Sequence, residues 1–230
     1  MKKFFKRIFS FVLLVVFVVI AIVIYQGFLK YKVTITETPL EIRVEKLKNI
    51  ENYTFYEDIP ATFIEAVVAV EDRRFYKHSG FDVIGTGRAL IRDIKNMELL
   101  EGGSTITQQL AKNMYFPANN SPWRKVAEIF MAKKIEEEYT KAEILEMYFN
   151  IIYYGKGCYN IHDAADTYFD KLPIEMNDYE CTLLAGIPNA PSVYSKNKEL
   201  ARERQEKVLK SMVQAEYITQ EEMYDILDEE

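Results

Sequence analysis

Cysteine and histidine are scarce in this chain. Each occurs twice in 230 residues, as Cys158 and Cys181 and as His78 and His162. So few soft ligands, set far apart, do not make a His/Cys metal centre, and no metal ligand is assigned. The two cysteines could pair in an oxidising compartment, but they read more simply as small core residues. An excess of positive charge is also missing. Lys and Arg number 29 against 35 Asp and Glu, a net −6, which argues against nucleic acid as a partner. Much of the acid sits in the terminal EEMYDILDEE, which reads as a solvated helix face. No internal repeat or low-complexity segment is visible. The P-loop order G-x-x-x-x-G-K-[ST] is absent too.

What the chain does have begins at its N-terminus. The basic tail 1–7 carries Lys2, Lys3, Lys6 and Arg7, and an apolar run follows from Ile8 to Tyr25, broken only by Ser10. Eighteen residues make about 27 Å of helix, close to the thickness of a bilayer core. The basic flank places that tail in the cytoplasm and the rest of the chain outside. A cleaved signal peptide is the competing reading, but the run ends in AIVIYQGFLKYK, without a clear small-x-small cut site. Residues 26–50 are expected to be a linker, because KVTITETPLEIRVEK alternates apolar and polar like a short strand or extended arm.

From residue 51 onward a single, mainly α-helical domain is expected. Pro60 suits a first helical turn, and Phe63, Val67 and Val70 recur at helical spacing, so that helix delivers Glu71 at its end. Further helices are predicted over 83–100, from Ile106, over Trp123–Tyr139 and over Lys141–Asn150. The last should start with a Thr140/Glu143 capping box. Others follow near 160–170, 175–187 and 197–230. FPANNSP and the GKG at 155–157 are breaks.

Polar chemistry is concentrated in EDRRFYKHSGFD (71–82) and GGSTITQQLAKN (102–113). The first sets a carboxylate, Glu71, beside arginines and a histidine. The second crowds glycines, hydroxyls, carboxamides and a lysine. Gly102 and Gly103 allow close backbone approach, and Ser104, Thr105 and Thr107 can donate to oxygens. Gln108 and Gln109 can bond sugar or phosphate groups, and Lys112 offers a compact positive charge. A Ser/Thr-rich helix start would explain only the STIT portion. RKVAE (124–128) puts Arg124, Lys125 and Glu128 on one helical turn, where Arg124 and Glu128 would ordinarily form an i,i+4 pair.

These strings resemble the first three motifs of the family 51 glycosyltransferases, which polymerise peptidoglycan from lipid II. KAEILEMYFNIIYYGKG (141–157) resembles the fourth motif and LLAGIPNAPSVYS (183–195) the fifth. The likeness covers about residues 50–200. It departs from the family pattern at Asn120, Asn160, Asp170, in PNAP, and in lacking a proline after Tyr194.

The resemblance implies a lysozyme-like, bilobed fold with head and jaw lobes. It implies Glu71 as general base and Glu128 as a second acidic residue in the cleft. Arg88, Ser104, Thr105, Gln108, Gln109, Lys112, Asn113, Arg124 and Lys125 would meet substrate. For Lys125 a structural reading stands equally beside the functional one. His78, Gly80 and Asp82 would shape the loop after the base, and Glu146 and Asn150 would brace the cleft. Pro188, Pro191 and Tyr194 read as scaffold. A divalent cation, Mg or Mn, is an implied companion of the diphosphate, with no other cofactor.

The partners implied are lipid II, lipid-linked glycan, the membrane and cell-wall synthesis proteins. The expectation is therefore a single-pass, monofunctional peptidoglycan glycosyltransferase of a bacterial cytoplasmic membrane, because the chain ends too soon for a transpeptidase domain. Two rivals remain open. A wall-cleaving muramidase or lytic transglycosylase would need a protonated Glu and no diphosphate clamp. A non-catalytic, anchored wall-binding protein would need neither.

Overall fold

The structure, a computed structural model, describes residues 2–88, 103–117 and 121–229. Its main helices are α1 (Lys2–Glu37), α2 (Leu40–Lys48), α3 (Ala61–Glu71), α4 (Ile106–Tyr115), α5 (Pro122–Glu138) and α6 (Lys141–Phe149). After them come α7 (Ile161–Phe169), α8 (Asp178–Gly186), α9 (Lys198–Gln214) and α10 (Gln220–Asp228). Among the described residues there is no β-strand. The expected mainly α-helical class is what is observed.

One expectation fails at the N-terminal side. Residues 26–37 are not an extended arm but the continuation of α1, and α2 follows after Thr38 and Pro39. The alternating β-branched pattern finds no partner strand, so the backbone bonds are made within the helix instead. Tertiary contact decides the outcome. Phe28, Tyr31 and Ile35 share one helical face, and Phe130 of α5 meets Phe28 at 5.3 Å and Tyr31 at 5.8 Å between ring centroids. At Gly27 the helices come so close that a Cβ would lie 2.4 Å from Val126 Cβ. The exposed, apolar part of α1 is long and apolar enough to cross a membrane.

The core is built on α3, α6, α8 and α9. Phe63 and Phe149 meet edge to face at 5.0 Å, and both are fully buried. Gln205, also fully buried, donates to Tyr179 O at 2.9 Å and Thr182 Oγ1 at 3.0 Å, which pins α9 against α8.

Helix starts follow the side-chain logic read from the sequence. Thr140 and Glu143 form the expected capping box, and Asn177/Glu180 and Thr219/Glu222 form others. Each such cap is worth about 1 kcal/mol. The stretch expected as helix over 197–230 divides into α9 and α10, with Glu216 at φ 62° between them. Of the helix expected over 83–100, residues 83–88 are helical and the remainder lies outside the described residues.

Two departures from the family pattern have local explanations. Asn160 caps α7, accepting from Asp163 N at 2.7 Å. Asp170 closes the same helix in the left-handed region at φ 56°, which Asp tolerates better than most residues.

Candidate active site

Three helix ends assemble the site. The last residue of α3 is Glu71, and the next, Asp72, is buried. Asp72 accepts from His78 Nε2 at 2.9 Å and from the backbone N–H of Ile106 at 3.1 Å. The first contact folds the 72–78 loop back, and the second fixes the start of α4 beside the end of α3. Gly80 sits at φ +87° with a Cβ position only 2.8 Å from Ala132 C, so only glycine fits without strain. Its carbonyl accepts from Thr105 Oγ1 at 2.7 Å. Asp82 accepts from Arg74 Nε and from Ile84 N, both at 3.0 Å. His78, Gly80 and Asp82 thus hold the loop that carries the chain from Glu71 toward the next helix.

Glu71 is held at both carboxylate oxygens. Gln109 Nε2 donates to Oε2 at 2.9 Å, and Arg204 Nη2 donates to Oε1 at 3.2 Å. Gln109 is oriented in turn by the Tyr148 hydroxyl, which donates to its Oε1 at 3.2 Å. Burial, reinforced by the Glu71 charge, pushes the Tyr148 hydroxyl well above its ordinary range, so it remains a donor. Arg204 was not legible as a site residue. It stands 133 residues from Glu71 in a charge-rich helix, where an arginine carries no signal of its own.

Glu71 opens on two adjoining hollows, one of about 280 Å³ and one of about 570 Å³. The smaller is lined by Arg73, Arg74 and Arg88 with Ser104 and Thr105. The larger brings Gln109, Lys112, Arg124, Lys125 and Glu128 together with Arg204. Glu128 is only 1% exposed and pairs with Arg124 at 3.0 Å and Lys125 at 3.2 Å. Lys125 also donates to Ser104 Oγ at 2.5 Å. Lys125 therefore ties α5 to the start of α4 while its side chain remains 45% exposed to the cleft.

Of the other residues singled out in the sequence, Thr105 and Gln108 line the cleft but also serve the fold, and Asn113, Glu146 and Asn150 lie elsewhere. Thr105 and Gln108 form a capping box at the start of α4, Thr105 N donating to Gln108 Oε1 at 3.0 Å and Gln108 N to Thr105 Oγ1 at 3.1 Å. Their polar atoms are largely committed to the helix start, although Gln108 Nε2 has no partner among the described residues. Asn113 lies on the far side of α4 and lines a separate hollow with Arg43 and Tyr153. Glu146 accepts from Tyr53 Oη at 2.7 Å and Tyr56 N at 3.0 Å, and Asn150 bonds both backbone groups of Thr54. What these two brace is the 53–56 segment against α6, away from Glu71. Gly102 and Asn120 lie outside the described residues.

Among the described residues no group of three or more His, Cys, Asp or Glu is placed to hold a metal. Glu71 and Glu128 are each already paired with Arg or Lys. These residues do not fit a protein-held divalent cation.

The arrangement is a carboxylate with fixed geometry, next to a cluster of cations, in an open cleft. In such an arrangement a carboxylate can accept a proton and the cations can meet negative charge. A family model described as transglycosylase matches residues 40–213, so the chain belongs to the transglycosylase family. Within that family it is similar to the penicillin-binding proteins. It is 41% identical over 180 residues to penicillin-binding protein 1A of Neisseria gonorrhoeae, covering 77% of this chain and 23% of that one. It is also 41% identical over 174 residues to penicillin-binding protein 2D of Bacillus subtilis strain 168, covering 75% and 25%. The chain thus spans about a quarter of the length of these relatives. Among solved structures, penicillin-binding protein 1A from Haemophilus influenzae aligns with a TM-score of 0.45 and 24% identity, covering 77% of this chain and 17% of that one.

Proposed function

We propose that this chain is a peptidoglycan glycosyltransferase that polymerises lipid II into β-1,4-linked glycan strands. The observation that carries this reading is Glu71, clamped at both oxygens and opening on the hollow lined by Lys112, Arg124 and Lys125. Sugar transfer from a lipid diphosphate needs those two things together, a base at the acceptor and positive charge at the leaving group.

In this reading Glu71 takes the proton from the 4-hydroxyl of the acceptor sugar. The hydroxyl oxygen attacks C1 of the donor as the C1–O bond to the diphosphate breaks. Attack comes from the face opposite the leaving group, so the configuration at C1 inverts. The polyprenyl diphosphate departs with the bonding pair, and its charge is met by Lys112 and Arg124. Lys125 and Glu128 keep the cation cluster in place. The apolar N-terminal helix supports anchoring in a membrane, with the catalytic domain on its outer side, where the lipid substrate would enter.

The cation-lined cleft favours synthesis over wall cleavage, because a hydrolase substrate carries no diphosphate. The test is incubation of the purified protein with labelled lipid II in detergent, followed by muramidase digestion of any polymer. A muramidase-sensitive polymer is the expected result. Unconsumed lipid II across several detergents and cations would overturn the reading.

A further inference from the structure

Arg204 has one polar partner among the described residues, and that partner is Glu71. Its delivery is specific. Gln205, the next residue, locks α9 onto α8 through two hydrogen bonds, one of them fully buried, which sets the rotation of α9. The Arg204 stem then passes over Gly186, the last residue of α8. A Cβ there would lie 2.9 Å from Arg204 Cγ. Both charged groups are mostly buried, at 13% and 14% side-chain exposure. A paired Arg and Glu that merely decorated the surface would need neither the glycine nor the lock.

We propose that Arg204 is a positioning residue for the base. It fixes Oε1 while Gln109 fixes Oε2, so the carboxylate plane is set before substrate arrives. Without Arg204 the carboxylate keeps one tether and can turn about it. A base displaced by about 1 Å can lose on the order of 100-fold in rate. Gly186 belongs to the same device, since it supplies the space through which the arginine reaches. This role rests on the glycosyl-transfer reading above.

The test measures kcat and KM for lipid II polymerisation by wild type, Arg204→Ala, Arg204→Lys and Gly186→Ala, with a thermal melt of each. Arg204→Ala is expected to lower kcat about 10- to 100-fold with little change in KM. Low, non-denaturing guanidinium chloride should recover part of that loss in Arg204→Ala alone. Arg204→Lys should retain more activity than Arg204→Ala, because the charge stays but the fork is lost. Gly186→Ala keeps the arginine but displaces its stem, and should also act on kcat.

An Arg204→Ala protein that matches wild type overturns the role. So does one whose loss lies in KM, since that would mean direct contact with substrate. A variant that melts early would be judged by guanidinium rescue, and failure of rescue in the folded fraction counts against the proposal. A wild type that leaves lipid II untouched removes the glycosyl-transfer reading itself, and this role with it. That result is distinct from an active wild type with indifferent variants.

Discussion

The buried carboxylate of Asp72 accepts the backbone N–H of Ile106 at 3.1 Å. One hydrogen bond thereby joins the residue after Glu71 to the first turn of α4, which carries Gln109 and Lys112. The same carboxylate holds His78. Asp72→Ala should therefore leave a buried N–H and a buried imidazole without their partner, costing about 1–3 kcal/mol for the unsatisfied groups. Thermal melts should show this loss, with Asp72→Asn losing less because its carbonyl can still accept from Ile106. Activity should fall with either, because the base and the cation-bearing helix lose their mutual register.

Glu71→Gln keeps the shape of the side chain and removes its basicity. The fold should survive, with a somewhat lower melting temperature because Arg204 keeps only a neutral acceptor in a mostly buried site. Polymerisation of lipid II should fall about 10²–10⁴-fold, the usual contribution of a general base. A folded variant that retains most of the activity would remove Glu71 from that role.

Two glycines with similar backbone angles allow a controlled comparison. Gly80 has φ +87° and Gly157 has φ +89°. A Cβ at Gly80 meets the backbone of Ala132 at 2.8 Å, whereas at Gly157 nothing lies within 4 Å. Gly157→Ala should cost only the left-handed backbone term, about 1–2 kcal/mol. Gly80→Ala adds a clash with backbone that cannot turn aside, so it should be clearly more destabilising in the same denaturation assay. Equal losses would show that the approach to Ala132 adds no cost beyond the backbone term.

How much of this was legible in the sequence depends on the range over which each residue acts. Helix starts capped by residues three apart, such as Thr140 and Glu143, were readable because the cause is local. The T-x-x-Q of Thr105 and Gln108 is the same device, but inside a string so rich in polar groups it read as ligand chemistry. Residues 26–37 show the opposite case. Their β-branched alternation is a local strand signal, and packing against α5 overrides it. The base and its flanking loop were legible from motif strings, whereas Arg204 was not. Its meaning comes from a contact across 133 positions and from a gap left by Gly186.

Asp82 gives a pH dependence with a definite sign. Burial alone would raise its carboxyl, but the Gly85 N–H, the Arg74 charge and the Ile84 N–H together outweigh it and hold it below the ordinary 3.8. A depressed folded value means that the carboxylate stabilises the fold above the unfolded pKa, about 3.9, and that this is lost as pH falls through the folded value. Asp82→Asn should therefore be less stable than wild type at neutral pH. The gap between the two should close as the pH is taken below about 4. A gap that is constant from pH 7 to pH 3 would show that the Asp82 charge contributes nothing.

Lys112 separates the synthetic reading from its rivals. It is exposed on α4 and lines the hollow that also holds Glu71 and Arg124. If its charge meets the departing diphosphate, Lys112→Ala should cost transfer far more than Lys112→Arg, which keeps the charge and changes the geometry. Stability should hardly move in either variant, since an exposed side chain is being changed. The measurement is lipid II consumption beside release of soluble fragments from purified sacculi, for wild type and both variants. Fragments released while lipid II stays intact would favour a wall-cleaving enzyme, for which Lys112 has no diphosphate to meet. Polymer formed equally well by wild type and Lys112→Ala would keep the reaction class and move the leaving-group contact to Arg124 and Lys125, whose charges face the same hollow.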